Sequence, residues 1–296
     1  MRIDLHTHSD RSDGTESPGE LVRRAHAEGI DVLGLTDHDT TEGWVDAVDV
    51  AAEVGVTLVR GIEVSCTFQG YGVHLLAYLP DPRHGPLEAE LRRVLDGRNA
   101  RLPATLEKLR ALGIDIDVHD VRKVAGETAA MGRPHVADAL VSLGVVADRN
   151  EAFDRYLGPR GPAYVHRYAA DLEHMIGTVT AAGGVSVIAH PWAARHDHSA
   201  LDERGLAHLR QVGLSGIEVD HVDHAPGTRA ALRAIASRLG LVVTGSSDNH
   251  GLGKVGHDLG CNTTDEGQFE RLLELAGRAA AASGRSTPEV LGPIAR

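Results

Sequence analysis

Residues 3–15 read IDLHTHSDRSDGT. A short apolar run, Ile3-Asp4-Leu5, ends in two histidines two apart, and Asp13 follows. In a strand, side chains at i and i+2 point to the same side, so an HxH pair aims two imidazoles at one point. By themselves the three residues could be polar decoration on an edge strand. The rest of the chain decides.

Six further apolar runs share the character of the first: 31–36, 56–61, 73–79, 185–189, 216–219 and 241–245. They are rich in Val, Ile and Leu and bounded by Gly or polar clusters, the signature of buried strands. Helical patterns lie between most of them. Ser17-Pro18-Gly19-Glu20 is a capping box, Leu21, Val22 and Ala25 form its apolar face, and Gly29 stops the helix. Asp171 caps a helix carrying Leu172, Met175, Ile176 and Val179. Alternating strands and helices predict a parallel α/β sheet, and seven strands predict a barrel.

The stretch 86–165 breaks this alternation. Segments 103–113, 117–126, 133–144 and 150–158 each read as a helix with a start and a stop. The expected organisation is a discontinuous barrel domain, residues 1–85 and 166–296, with a helical insertion domain at 86–165 that caps it. The tail after 283 is expected to be weakly structured.

Bulk composition narrows the function classes. The 296 residues are 42% hydrophobic, which permits a sizeable core. The net charge of −12 offers no bulk basic field, so stable duplex nucleic-acid binding is not expected. The two cysteines, Cys66 and Cys261, imply no disulfide framework. MRIDLHTHSD has no apolar signal region, and no apolar run reaches about 20 residues, so a cytoplasmic protein without membrane contact is expected. Eighteen histidines are the outlier.

Their placement carries the chemistry. His6 and His8 end the first strand, and Asp13 lies in the loop after it. His38 follows the second, Glu63 the third, His190 ends the fifth, and Asp248 and His250 follow the last. His74 lies on the fourth, whose run continues past it. The C-terminal ends of parallel strands are where α/β folds build active sites. Six imidazoles and three carboxylates are too many for one ion, and suit two or three divalent ions such as Mn, Fe, Zn or Mg. Asp37 reads as a residue that orients a ligand, and Asp39 as the N-cap of the following helix. His26, His174 and His208 lie on helices and carry no assigned role. His196, His198, His221 and His224 read as rim residues.

HTHSDRSDG, TDHD, GIEVS, the VHLLAY histidine, AHP and SDNHG resemble, in order, the motifs of PHP-domain metal-dependent phosphoesterases. The resemblance implies a distorted (β/α)7 barrel holding three metals. It implies that His6, His8, Glu63 and Asp248 hold one ion, that Asp13, His38 and His250 hold a second, and that Glu63, His74 and His190 hold the third. Asn249 departs from the pattern, which often has a more hydrophobic residue there. The insertion resembles that of nucleoside 3′,5′-bisphosphate phosphatases and related RNA-end exonucleases. This implies removal of the 3′-phosphate to leave the 5′-monophosphate, with 5′-3′ trimming of short RNA as a further activity. The partner expected is a small phosphorylated molecule, a nucleotide or a short RNA end.

Three divalent ions outweigh three carboxylates, so the pocket would attract phosphate. A metal-bridging water is acidic enough to attack phosphorus directly, and no Ser, Cys or Asp nucleophile motif is visible. Asp13, His38, Glu63, His190, Asp248 and His250 are the expected catalytic set. Arg133 and His135, at the start of the helix in MGRPHVADAL, are the expected substrate contacts, where a helix N-terminus and a guanidinium fork both favour an anion. The competing readings are a histidinol-phosphate phosphatase, a noncatalytic metal-binding module and an amide hydrolase. The last lacks a lysine at a strand end that could be carboxylated, since Lys108, Lys123 and Lys254 are the only lysines.

Overall fold

The computed structural model describes residues 1–126, 128, 130–193 and 199–285. Among the described residues eight strands form one sheet: β1 (Ile3–Thr7), β2 (Val32–Leu35), β3 (Thr57–Phe68), β4 (Tyr71–Tyr78), the two-residue β5 (Ala170–Asp171), β6 (Val185–Ile188), β7 (Gly216–Asp220) and β8 (Val242–Gly245). The order is β1-β2-β3-β4-β6-β7-β8, with β5 paired beside β3. The two ends nearly meet. His8 donates its backbone N–H to the Asn249 carbonyl at 2.9 Å, and Thr264 donates to Ile3 at 2.8 Å. The result is a distorted, almost closed seven-stranded barrel with a short eighth strand at its side.

The sheet departs from the expected parallel arrangement at one strand. β1 to β3 and β6 to β8 run parallel, but β4 is antiparallel to both neighbours. Parallel neighbours need a long crossover, whereas β3 and β4 are joined by Gln69 and Gly70 alone. Both have positive φ, 50° and 85°, the backbone that a tight hairpin requires. β3 also runs on to Phe68, past the expected end at Gly61, so Glu63 lies within the strand.

The helices cover the barrel. α1 (Pro18–Ala27), α2 (Trp44–Val54), α7 (Leu172–Ala181), α8 (Glu203–Val212) and α9 (Pro226–Leu239) bury apolar faces against one large core. The Ser17–Glu20 capping box and the Asp171 cap both form. A second cluster joins Ile3, Leu5, Val32, Val59 and Leu76 to Phe269, Leu272 and Ala276 of α10 (Glu266–Ala282). Each fully buried Leu, Ile or Phe in these clusters contributes about 1.5–3 kcal/mol. Among the described residues no helix is long and apolar enough to cross a membrane.

Between β4 and β5 lie α3 (Gly85–Ala111), α4 (Val118–Ala125), α5 (Arg133–Ser142), α6 (Arg149–Ala152) and a π-helical turn at Phe153–Leu157. α3 starts well before the expected residue 103, and Pro103 sits inside it. Proline ordinarily ends a helix. Here each half is held by a different core. Leu87, Leu91 and Val94 bury against the barrel core. Leu102, Leu106 and Leu109 join a separate core with Val121, Val136, Leu140 and Leu157. Residues 286–296, which include most of the expected tail, and His196 and His198 lie outside the described residues.

Candidate active site

His6 and His8 leave β1 on one face, and both are fully buried. Four side-chain atoms converge there: His6 Nε2, His8 Nε2, Glu63 Oε2 and Asp248 Oδ1. The two nitrogens are 3.1 Å apart, each lies 3.1–3.3 Å from Glu63, and each lies 3.5 Å from Asp248. Donors bound tetrahedrally at about 2.0–2.1 Å are separated by about 3.4 Å. These spacings therefore fit the edges of a metal coordination shell.

Two neighbouring groups extend the site. Asp13 lies 3.2 Å from His250 Nε2 and 3.6 Å from His38 Nε2, with His8 alongside. Among the described residues, Asp13 Oδ1 and His38 Nδ1 are buried without a well-formed hydrogen bond, yet His250 Nε2 lies 3.2 Å from the first and Glu63 Oε2 3.1 Å from the second, spacings that suit donors sharing an ion. On the other side, Glu63 Oε1 lies 2.7 Å from His74 Nδ1 and 3.2 Å from His190 Nε2. Glu63 thus turns one oxygen to each side. All nine sequence-predicted metal-type residues come together. His74 reaches the cluster because β4 is reversed: residues early in an antiparallel strand lie beside residues late in its neighbour. The site is most open at this edge, where Tyr71, His74, His190 and Pro191 line a pocket.

Burial and mutual charge set the protonation states. Burial opposes the charge on His8, but Asp248 and Glu63 outweigh it and push its pKa up to about 9. Burial dominates at His38 and drives it down to about 3, against Glu63 and Asp13. Burial would raise Glu63, yet His38, His74 and His6 hold it well below the carboxylate range. A dense, buried set of imidazoles and carboxylates of this kind fits a polynuclear divalent-metal centre.

Side chains behind the cluster fix its orientation. Glu218, on β7, lies 3.3 Å from His6 Nδ1 and accepts the His190 backbone N–H at 2.9 Å. Burial would raise its pKa, but His6, His221 and His190 bring it down to about 2. The sequence held a signal for it, since Gly-Ile-Glu-Val occurs twice, at 61–64 and at 216–219. His221 and His224 are buried, not rim residues. His221 Nδ1 accepts the Asp223 N–H at 3.1 Å, so the neutral ring carries its proton on Nε2, 3.2 Å from Asp248 Oδ2. The Lys254 ammonium contacts the same oxygen. This second oxygen of Asp248 is thereby occupied, and Oδ1 is left for the cluster. Asp37 accepts from Ser9 N–H, Ser9 Oγ and Ser12 Oγ at 2.6–2.8 Å and so pins the loop that delivers Asp13.

Asp39 is not the expected N-cap. The helix begins at Trp44 with Gly43 before it and no side-chain cap. At φ 59°, Asp39 instead accepts from Ser65 N–H at 2.6 Å and Arg98 Nη2 at 2.7 Å, locking the His38 loop to β3 and to α3. Asn249 points away from the cluster and bonds Arg24 at 2.7 Å and the His257 carbonyl at 2.7 Å. Arg133 and the Nδ1 side of His135 are committed within the helical segment. Arg133 donates to the Leu157 carbonyl at 2.9 Å, and its guanidinium lies 5.3 Å from the ring centres of Phe153 and Tyr164. His135 Nδ1 accepts the Gly132 N–H at 3.0 Å.

Comparison with known proteins gives this geometry a family. The PHP domain model matches residues 4–182. The chain belongs to the PHP family. The PHP protein is 36% identical to a 3′,5′-nucleoside bisphosphate phosphatase of Chromobacterium violaceum, covering 87% of this chain and 90% of that one. It is 36% identical to a 5′-3′ exoribonuclease of Haemophilus influenzae, covering 84% and 90%. A solved structure from Bifidobacterium adolescentis, provisionally described as a metal-dependent phosphoesterase, superimposes with a TM-score of 0.88 at 34% identity, covering 92% and 96%. Another, an amidohydrolase from Chromobacterium violaceum with bound sulfate, gives 0.85 at 33% identity, covering 93% and 97%. The PHP protein is a hydrolase of phosphate esters.

Proposed function

We propose that this PHP phosphoesterase removes the 3′-phosphate from nucleoside 3′,5′-bisphosphates, with trimming of short RNA from its 5′ end as a second activity. The observation that carries the reading is a dense donor set of imidazoles and carboxylates whose Asp13 loop is held by residues of the arginine-bearing helical segment. Cap residues reach the loop that presents Asp13. Thr128 Oγ1 donates to the Arg11 and Ser12 carbonyls at 2.9 and 3.0 Å, and Arg149 donates to the Asp13 carbonyl at 3.4 Å. The names of the relatives, at 36% identity over most of both chains, favour a nucleotide substrate.

Two or three divalent ions held by the nine residues would supply Lewis acidity and lower the pKa of the attacking water. The chain's own residues do the rest. Glu63 would be shared between ions through its two oxygens. Lys254 and His221 keep Asp248 turned inward. His135 accepts at Nδ1, so its neutral ring holds a proton at Nε2, which suits a donor to a phosphoryl or leaving oxygen. Arg133 contributes through the cap rather than as a free fork. We read residues 86–165 as the cap domain, with the first half of α3 as its root in the barrel. The lysines do not favour amide hydrolysis, since Lys254 is engaged with Asp248.

The test is phosphate release by the Mn²⁺-loaded protein from adenosine 3′,5′-bisphosphate, AMP, histidinol phosphate and a 5′-phosphorylated dinucleotide. The expected result is strong preference for the bisphosphate, with AMP as product. Preference for histidinol phosphate, or no turnover at full metal occupancy, would overturn the proposal.

A further inference from the structure

The barrel has one seam without a ladder. From β1 round to β8 every neighbouring pair of strands is joined by paired backbones. Between β8 and β1 there is, among the described residues, only the isolated bridge of Thr7 with Asn249 and the Thr264 bond to Ile3. The candidate ligands of one ion stand on both sides of this seam. Asp13 comes from the loop after β1 and His250 from the segment after β8, and their side chains lie 3.2 Å apart across it. His8, from the β1 side, stacks on His250 with ring centres 4.1 Å apart. Glu63, His74 and His190 come instead from β3, β4 and the turn after β6, which are joined by ladders. A ladder fixes the offset of two strands through its backbone bonds. Across the seam that task falls largely to side chains.

Arg149, at the start of α6, reaches both sides. Asp138 on α5 accepts from its Nε at 2.5 Å and its Nη2 at 2.6 Å, a fork that fixes the plane of the guanidinium. The outer edge then faces the Asp13 carbonyl, with Nη1 and Nη2 both at 3.4 Å. On the other side of the seam the guanidinium lies against the backbone of Gly253. A Cβ there would sit 2.7 Å from the guanidinium carbon, so glycine is what admits the approach. Further along, Thr15 Oγ1 accepts the Leu252 N–H at 2.9 Å and crosses the same gap. An arginine that served only to tie α5 to α6 would need neither the Asp13 carbonyl nor a glycine opposite.

We propose that Arg149 is a positioning residue: it latches the seam, and so makes full binding of the ion at Asp13, His38 and His250 depend on seating of the helical segment. This rests on reading the nine residues as metal ligands and is independent of the substrate. The coupling is reciprocal, since a seated segment that favours the ion is itself favoured by the ion. The bonds to Asp13 are long, and Thr128 holds the same loop through the Arg11 and Ser12 carbonyls. The lower end of the range for groups behind metal ligands therefore applies, about 10-fold in affinity.

The test is Mn²⁺ titration against a competing chelator for the parent protein, Arg149→Met and a control, Arg155→Met, which removes a half-exposed arginine of the same segment. Arg149→Met should weaken one ion about 10-fold and leave the rest within about twofold, and Arg155→Met should weaken none. Combination identifies the ion: Arg149→Met should add little to His250→Ala but its full effect to His74→Ala. Hydrogen exchange gives a readout that a merely structural role would not move. Mn²⁺ should slow exchange in α5 and α6 of the parent and cease to do so in Arg149→Met. Unchanged affinities, equal weakening of every ion, full additivity with His250→Ala, or Mn²⁺ protection that survives in Arg149→Met would each overturn the latch. A parent protein that binds no Mn²⁺ would overturn the ligand reading itself, and the latch with it.

Discussion

Replacing Glu218 by Gln tests whether residues behind the cluster tune it. The carboxylate holds His6 through Nδ1 at 3.3 Å and His190 through its backbone N–H at 2.9 Å. The first contact is long for a charge-assisted bond, so at His6 alone the lower end of the usual 10- to 100-fold range applies. The same carboxylate also positions His190, whose φ of 29° needs an external hold. With both histidines loosened, the expected loss of metal affinity is about 30-fold, or about 2 kcal/mol. Gln can also donate to His6 Nδ1, which would place the ring proton on Nε2, facing the other ligands. Metal titration against a competing chelator measures the affinity, and kcat at saturating metal separates binding from chemistry. Affinity within twofold of the parent would refute the reasoning. So would a lost kcat at unchanged affinity.

Metal binding should release protons. A ligating His8 must be neutral, yet its pKa in the protein alone is about 9, so at pH 7.5 it gives up a proton as an ion binds. Calorimetric titration in buffers of different ionisation enthalpy should show this, and a buffer-independent enthalpy would contradict it. The sign for the metal-free protein is opposite to that of a carboxylate: a raised histidine pKa stabilises fully below about 6.5, and that stability is lost as pH climbs through about 9. Arg98→Met leaves Asp39 charged and buried, with an expected loss of about 3–5 kcal/mol in urea denaturation. The Arg98→Met/Asp39→Asn double variant should regain much of it, and a cost below about 1 kcal/mol for the single variant would show that water reaches the pair.

Most of the site was legible because its residues follow short strands, where the period of two and the parallel rule place side chains without tertiary detail. HTH, TDHD and SDNH could each be put at a strand end from sequence. His74 resisted the rule because its strand runs backwards, and nothing in VHLLAY states direction. The two-residue turn at Gln69-Gly70 states it, but the turn emerges only because β3 runs on to Phe68 instead of ending at Gly61. Glu218 was hidden because a carboxylate behind the ligands looks like any strand residue. Asp39 was misread because a turn aspartate before a helix is usually a cap, and only the arriving Arg98 shows otherwise. α3 was cut short for a related reason: proline is a local stop signal, and two separate cores overrode it.

The Gln69-Gly70 turn also works as a length gauge. It fixes the pairing Ser65↔His74, which puts His74 on the same face as Glu63 and diagonally across from it. Strand pairing itself would tolerate a slip of one residue, because backbone hydrogen bonds do not read side chains. The slip would send His74 to the opposite face of the sheet and leave His190 and Glu63 without it. One residue added to a surface turn would therefore turn His74, a candidate ligand at the open edge of the site, away from the cluster without altering any residue of it. Tolerance to insertion at this loop is set by the arithmetic of the pleat, not by exposure.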